Sequence, residues 1–131
     1  MIPPAEKAKY LEGSIPILKT VKYADDSLRA FFAEARQQPW FKDTLFVITG
    51  DHTFMPPNEN WNHELGRWRI PLVFYRAGMR WPALIDRQAP VQQIDVPASI
   101  MDFLGFEMPQ QILLGRSVFV PGERTAVTYS D

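Results

Sequence analysis

Cysteine is absent from this chain, which excludes disulfides, thiolate metal sites and cysteine nucleophiles without assigning a compartment. Histidine is scarce: His52 and His63 are the two imidazoles, so imidazole chemistry runs through one of them or comes from elsewhere. Net charge is low too, at -1, and gives no electrostatic case for nucleic acid or an anionic membrane surface. No apolar run approaches the roughly 18 residues needed to cross a bilayer. The opening Met1-Ile2-Pro3-Pro4-Ala5-Glu6-Lys7 lacks the basic-then-apolar layout of an export signal. A Gly-rich phosphate loop, a Gly-x-Ser-x-Gly elbow and a His-Glu-x-x-His helix are all missing. Ser14, Ser27, Ser99, Ser117 and Ser130 stand in no local context that marks a nucleophile.

What remains is an ordinary globular composition. With 46% hydrophobic and 22% charged residues over 131 positions, the chain suits one domain, residues 1–131, with a sizeable core. After an irregular lead-in, Ser14 reads as an N-cap and Pro16 as a first-turn residue. Leu18, Val21, Ala24, Leu28, Phe31, Phe32 and Ala35 follow at the spacing of one buried helical face. Asp25 and Asp26 belong to its solvated side, and Gln37-Gln38-Pro39 ends it. Leu45-Phe46-Val47-Ile48-Thr49-Gly50 reads as a buried parallel strand, Thr53 to Arg67 as a long polar loop, and Arg69 to Tyr75 as a second strand with Pro71 at its start. Asp95 is expected to cap a second helix, with Val96, Ile100, Phe103 and Leu104 facing inward and Gly105 stopping it. Arg124 to Tyr129 alternates weakly, as an edge strand would. The order predicts a three-layer α/β sandwich on a small, mostly parallel sheet. So small a sheet leaves an edge that a larger domain would cover or another chain could pair with.

The informative residues are Asp51 and His52, directly after the first strand. Ligands of open α/β sheets gather at the carboxyl ends of strands, and a carboxylate beside an imidazole can hold a divalent cation. Gly50 is expected to supply the backbone freedom that lets both side chains converge. Equally open is a turn aspartate beside a surface histidine, because two donors fall short of a tetrahedral set. His63 and Glu64, in the loop, are candidates for a third ligand or a phosphate contact, though a solvated loop histidine is favoured. Arg67 and Arg69 suit a phosphate or a plain surface role.

Tyr23-Ala24-Asp25-Asp26-Ser27-Leu28 with Phe31-Phe32, followed by Phe41-Lys42-Asp43-Thr44 and the strand through Asp51-His52-Thr53, resembles the C-terminal part of a sulfatase-type domain. More narrowly it is similar to the membrane-anchored phosphoglycerol transferases related to lipoteichoic acid synthase, in the alkaline phosphatase superfamily. Leu65-Gly66-Arg67-Trp68 through Tyr75 continues the match, as do Gln93-Ile94-Asp95-Val96-Pro97, Asp102-Phe103-Leu104-Gly105 and Gly115-Arg116-Ser117, in family order. The resemblance implies a metal-dependent transferase or hydrolase of phosphate or sulfate esters. Asp51 and His52 map onto the family's metal pair, with manganese the expected cation and zinc, magnesium or calcium the alternatives. The family's threonine, serine or modified cysteine nucleophile, a further acidic ligand and a substrate-binding histidine motif lie upstream and have no counterpart here. The chain is therefore expected to be a C-terminal fragment: soluble, carrying half a metal site, inactive alone, and derived from a membrane-anchored parent with this domain outside the cytoplasm.

A reading of a different class is a non-catalytic interaction module that uses its sheet edge, with Trp61, Trp68 and Trp81 as anchors. A small phosphatase with Asp51 as nucleophile is a weaker third, lacking the neighbouring acids that such chemistry needs.

Overall fold

A computed structural model describes residues 2–10, 15, 17–53, 66–81, 85–106 and 115–128. The chain divides into two compact units: Met1–Ile48 with Val73–Gly78, and Thr49–Leu72 with Met79–Asp131.

In the first unit, helix α1 runs Ile17–Ala35. The expected cap Ser14 and Pro16 lie outside the described residues. Arg36, Gln37 and Gln38 close the helix with backbone bonds to Phe32, Glu34 and Ala35, and Pro39 opens a 3-10 turn, Pro39–Asp43. Strand β1, Phe46–Thr49, pairs with strand β2, Leu72–Tyr75. The rings of Phe32, Phe41, Phe46 and Tyr75 fill the space between helix and strands, with Phe32 and Phe46 centred 5.0 Å apart. Mostly edge-on or tilted, these contacts suit aromatic quadrupoles better than face-to-face stacking. On the outer side of α1, Asp25 pairs with Arg29 at 2.9 Å and Asp26 with Lys22 at 3.2 Å, as the solvated-face reading expects. The Lys22 contact holds the Asp26 carboxyl below the usual carboxylate range, and a Tyr10 hydroxyl bond adds to this.

Three expectations change here. The expected mostly parallel sheet is instead, among the described residues, one antiparallel pair, with Phe46 beside Tyr75 and Gly50 N–H donating to Pro71 O. A continuous apolar run reports how deeply a strand is covered, not which way its neighbour runs; here Thr49 and Val73 are exposed. The predicted inner face of α1 is largely open, with Val21 56% and Phe31 49% exposed, and Ala35 its one buried residue. Periodicity selects the apolar stripe but cannot say that a partner covers it. Finally, residues 123–128 form no strand.

The second unit is organised by helix α2, Asp95–Phe103. Its end matches the sequence reading: Gly105 sits at φ 74, its N–H donates to Asp102 O, and Phe106 N–H donates to Met101 O. That is the paired bonding of a glycine-terminated helix. Its beginning differs. Ile94 already has helical angles, and Asp95 caps no following amide but reaches back to Gln92 N–H at 2.9 Å, the acidic half of a capping box. The buried face is Asp95, Ala98 and Ser99, while Leu104 is exposed.

Small polar side chains there admit the segment 115–119. Ser99 Oγ donates to Asp95 O and accepts from Val118 N–H; Ser117 Oγ donates to Asp102. A Cβ on Gly115 would lie 2.0 Å from Ile94 O, so only glycine allows this approach. Arg124 completes the assembly, donating to the carbonyls of Pro90, Arg116 and Ser117 and pairing with Asp95 at 3.2 Å. In place of the expected edge strand, Val127 exchanges two bonds with the side-chain amide of Gln92. Trp81, anticipated as an exposed anchor, stacks on Phe119 at 5.4 Å and is half-buried.

Candidate metal centre

β1 delivers the chain to Asp51 and His52, and the two side chains converge. Asp51 Oδ2 lies 3.4 Å from His52 Nε2, with the side chains 88% and 79% exposed. Asp51 Oδ1 accepts the His52 amide at 2.9 Å, so the carboxylate folds over its neighbour. His52 Nδ1 lies 2.8 Å from Thr53 O. A carbonyl oxygen only accepts, so Nδ1 carries a proton, and in the neutral ring it is Nε2 that holds the lone pair. Thr53 Oγ1 in turn donates to Arg67 O, in the 3-10 turn Gly66–Trp68.

A lone-pair nitrogen facing a carboxylate oxygen calls for positive charge between them, either a proton or a cation. Two donors each about 2.1 Å from one tetrahedral cation stand roughly 3.4 Å apart, so the pair fits two corners of such a site. The imidazole nitrogen suits zinc, and the carboxylate oxygen suits zinc as well as manganese, magnesium or calcium. Among the described residues no group of three His, Cys, Asp or Glu could hold a metal.

The surroundings sort the other candidates. His63 and Glu64 lie outside the described residues, as does Trp61. Arg67 and Arg69 are exposed beside the second strand. Asp95 is buried and engaged by Arg116 N–H and Arg124, which leaves it structural. Ser27, Ser99 and Ser117 each donate their hydroxyl within the fold. Gly50 has no positive φ, and a Cβ there would meet Ile70 at an ordinary 3.5 Å. The convergence of Asp51 and His52 therefore does not depend on glycine's backbone freedom, contrary to expectation.

Sequence reasoning passed over Gln93. Its Nε2 donates to Gly50 O at 2.7 Å and Asp51 O at 3.1 Å. A glutamine between Gln92 and Ile94 carries no periodic or spacing signal.

Residues 16–106 match the family model of the sulfatases. The chain belongs to the sulfatase family. An alkaline phosphatase-like α/β fold follows from that membership. Among curated proteins, this sulfatase-family chain is 31% identical over 98 residues to phosphoglycerol transferase I of Salmonella typhi, covering 75% of this chain and 12% of that protein. It is 30% identical over 97 residues to phosphoglycerol transferase I of Escherichia coli O139:H28, covering 74% and 12%. Lipoteichoic acid synthase of Staphylococcus saprophyticus is 25% identical over 122 residues, covering 86% and 19%. The match thus spans only a small part of the length of these relatives. No solved structure matches the chain at a significant level. No described helix is long and apolar enough to cross a membrane.

Proposed function

We propose that this chain contributes the Asp51–His52 arm of a divalent-cation site in an enzyme that transfers or hydrolyses phosphate or sulfate esters, of the phosphoglycerol transferase or sulfatase kind. The observation that carries the reading is the 3.4 Å convergence of Asp51 Oδ2 and His52 Nε2 in a sulfatase-family chain. Manganese is the preferred cation, with zinc, magnesium and calcium as alternatives. In this reading the strand pair belongs to a larger three-layer α/β sheet, the domain works outside the cytoplasm, and the nucleophile and a further acidic ligand come from outside residues 1–131. The short coverage of the relatives, 12% and 19%, supports that division.

Within this chain the chemistry is one of holding. The Thr53 carbonyl fixes the imidazole so that Nε2 faces the site, the outer support that metal-bound histidines commonly have. Asp51 presents Oδ2 while Oδ1 is occupied by the His52 amide, so one oxygen is left for a ligand. A cation held there would lower the pKa of an attacking hydroxyl and neutralise charge on the transferred group.

The test is manganese binding to the full chain, followed by loss of the free-ion electron paramagnetic resonance signal. Weak binding is expected, abolished in Asp51→Asn and in His52→Ala. Binding that persists in both variants would sink the reading. Phosphodiester turnover by the 131-residue chain itself would remove the idea that the attacking group lies elsewhere.

A further inference from the structure

The turn that opens α2 reaches the cation arm through one side chain. The Gln93 amide nitrogen has two hydrogens, and it bonds two successive carbonyls, those of Gly50 at 2.7 Å and Asp51 at 3.1 Å. These carbonyls belong to the peptides that enter and leave Asp51, so their orientation sets where the Asp51 carboxylate and the His52 ring point. The hydrogen bonds of the Asp51 and His52 side chains themselves are local, to His52 N–H and Thr53 O. The Gln93 bonds cross 43 and 42 positions of sequence.

Resting on the cation reading above, we propose that Gln93 is a positioning residue for the Asp51–His52 site. It locks both peptide planes flanking Asp51 so that the two ligand atoms converge, without touching the cation. The donor arrives from a well-anchored turn. Gln92 N–H bonds Asp95 Oδ2, the Gln92 amide clasps Val127, and Asp95 is tied to Arg116 N–H and to Arg124. A ligand group supported from such an element is held more narrowly than one supported by a free loop.

Gln93→Glu and Gln93→Met nearly preserve the length but remove both donors, and Gln93→Lys restores an N–H donor. Since Gln93 is exposed, the fold should tolerate all three, and two donor-less variants guard against one that folds poorly. Manganese affinity of the full chain is expected to fall roughly tenfold in the Glu and Met variants, as for other outer supports of metal ligands, and to recover in Lys. Without metal, exchange of the His52 amide, which bonds Asp51 Oδ1, should accelerate in the Glu and Met variants and return toward wild type in Lys. Unchanged affinity in Glu and Met, with Asp51→Asn still abolishing binding, overturns the role of Gln93 and leaves the cation site standing. A wild-type chain that takes up no manganese at millimolar concentration overturns both.

Discussion

The two units of the chain are held by different physics. Around α1 and the strand pair the contacts are rings: Phe32, Phe41, Phe46 and Tyr75 meet at centroid distances from 5.0 Å upward. Around α2 a small aromatic stack is present, but the defining contacts are a buried carboxylate, a guanidinium and the bare backbone of Gly115. Apolar association is non-directional and tolerates adjustment. Hydrogen-bonded networks are directional, and leaving one member unsatisfied costs more than the bond contributes on average. The candidate cation arm is braced by the second kind, through Gln93. A site that needs two ligand atoms in fixed relation gains more from directional support than from a deeper apolar core.

The sharpest way to break this comparison is Gly115→Ala. The new methyl would fall 2.0 Å from Ile94 O and 2.8 Å from Asp95 Cα, both backbone atoms, so either the turn that carries Gln93 or the segment at position 115 must shift. A loss of about 3 kcal/mol, the upper end for overpacking, is expected, measured by urea unfolding, and manganese binding should weaken in the molecules that remain folded if the Gln93 turn is what moves.

Arg124→Ala comes next. The Arg124 and Asp95 side chains are 7% and 12% exposed, so truncation leaves a largely buried carboxylate without its cation and several carbonyls without a donor. About 3 kcal/mol is expected. Arg124→Lys should recover little, because an ammonium cannot reproduce the fork that serves Pro90, Arg116 and Ser117 together. Full recovery by lysine would reduce the network to simple charge pairing.

Legibility in the sequence follows the same division. The existence of α1, α2, β1 and β2 could be read from apolar spacing and proline or glycine punctuation, and the Gly105 stop was read correctly because its signal is local. Asp51 and His52 stand out by their place after an apolar run, and the structure brings their side chains to 3.4 Å. What stayed hidden is long-range and polar. Gln93 contacts residues 43 and 42 positions away, and Arg124 meets Asp95 across a similar kind of gap; no local pattern encodes either. Strand direction was misread because hydrophobic continuity carries no directional information. The face of α2 was misread because its burial rests on Ala98 and Ser99, small residues that an apolar count passes over.

The aromatic side of the comparison is sharpened by Phe32→Ala. Phe32 sits against Phe31, Phe41, Phe46 and Tyr75, with centroids between 5.0 and 6.4 Å, so the change removes the more central of two rings that tie α1 to the strand pair, the other being Phe31 against Phe46. A fully buried phenylalanine would cost about 3–5 kcal/mol. Phe32 is only half-buried, and part of the space it vacates is open to water, so about 2 kcal/mol is the expected loss, below that of Arg124→Ala. Phe32→Leu should recover most of it, since volume and hydrophobicity matter here more than direction. The discriminating measurement is the response to the conservative partner at each place. Leucine should rescue position 32 where lysine fails at position 124. If leucine fails at position 32 as well, ring geometry governs the first unit as strictly as hydrogen bonding governs the second, and the contrast between them disappears.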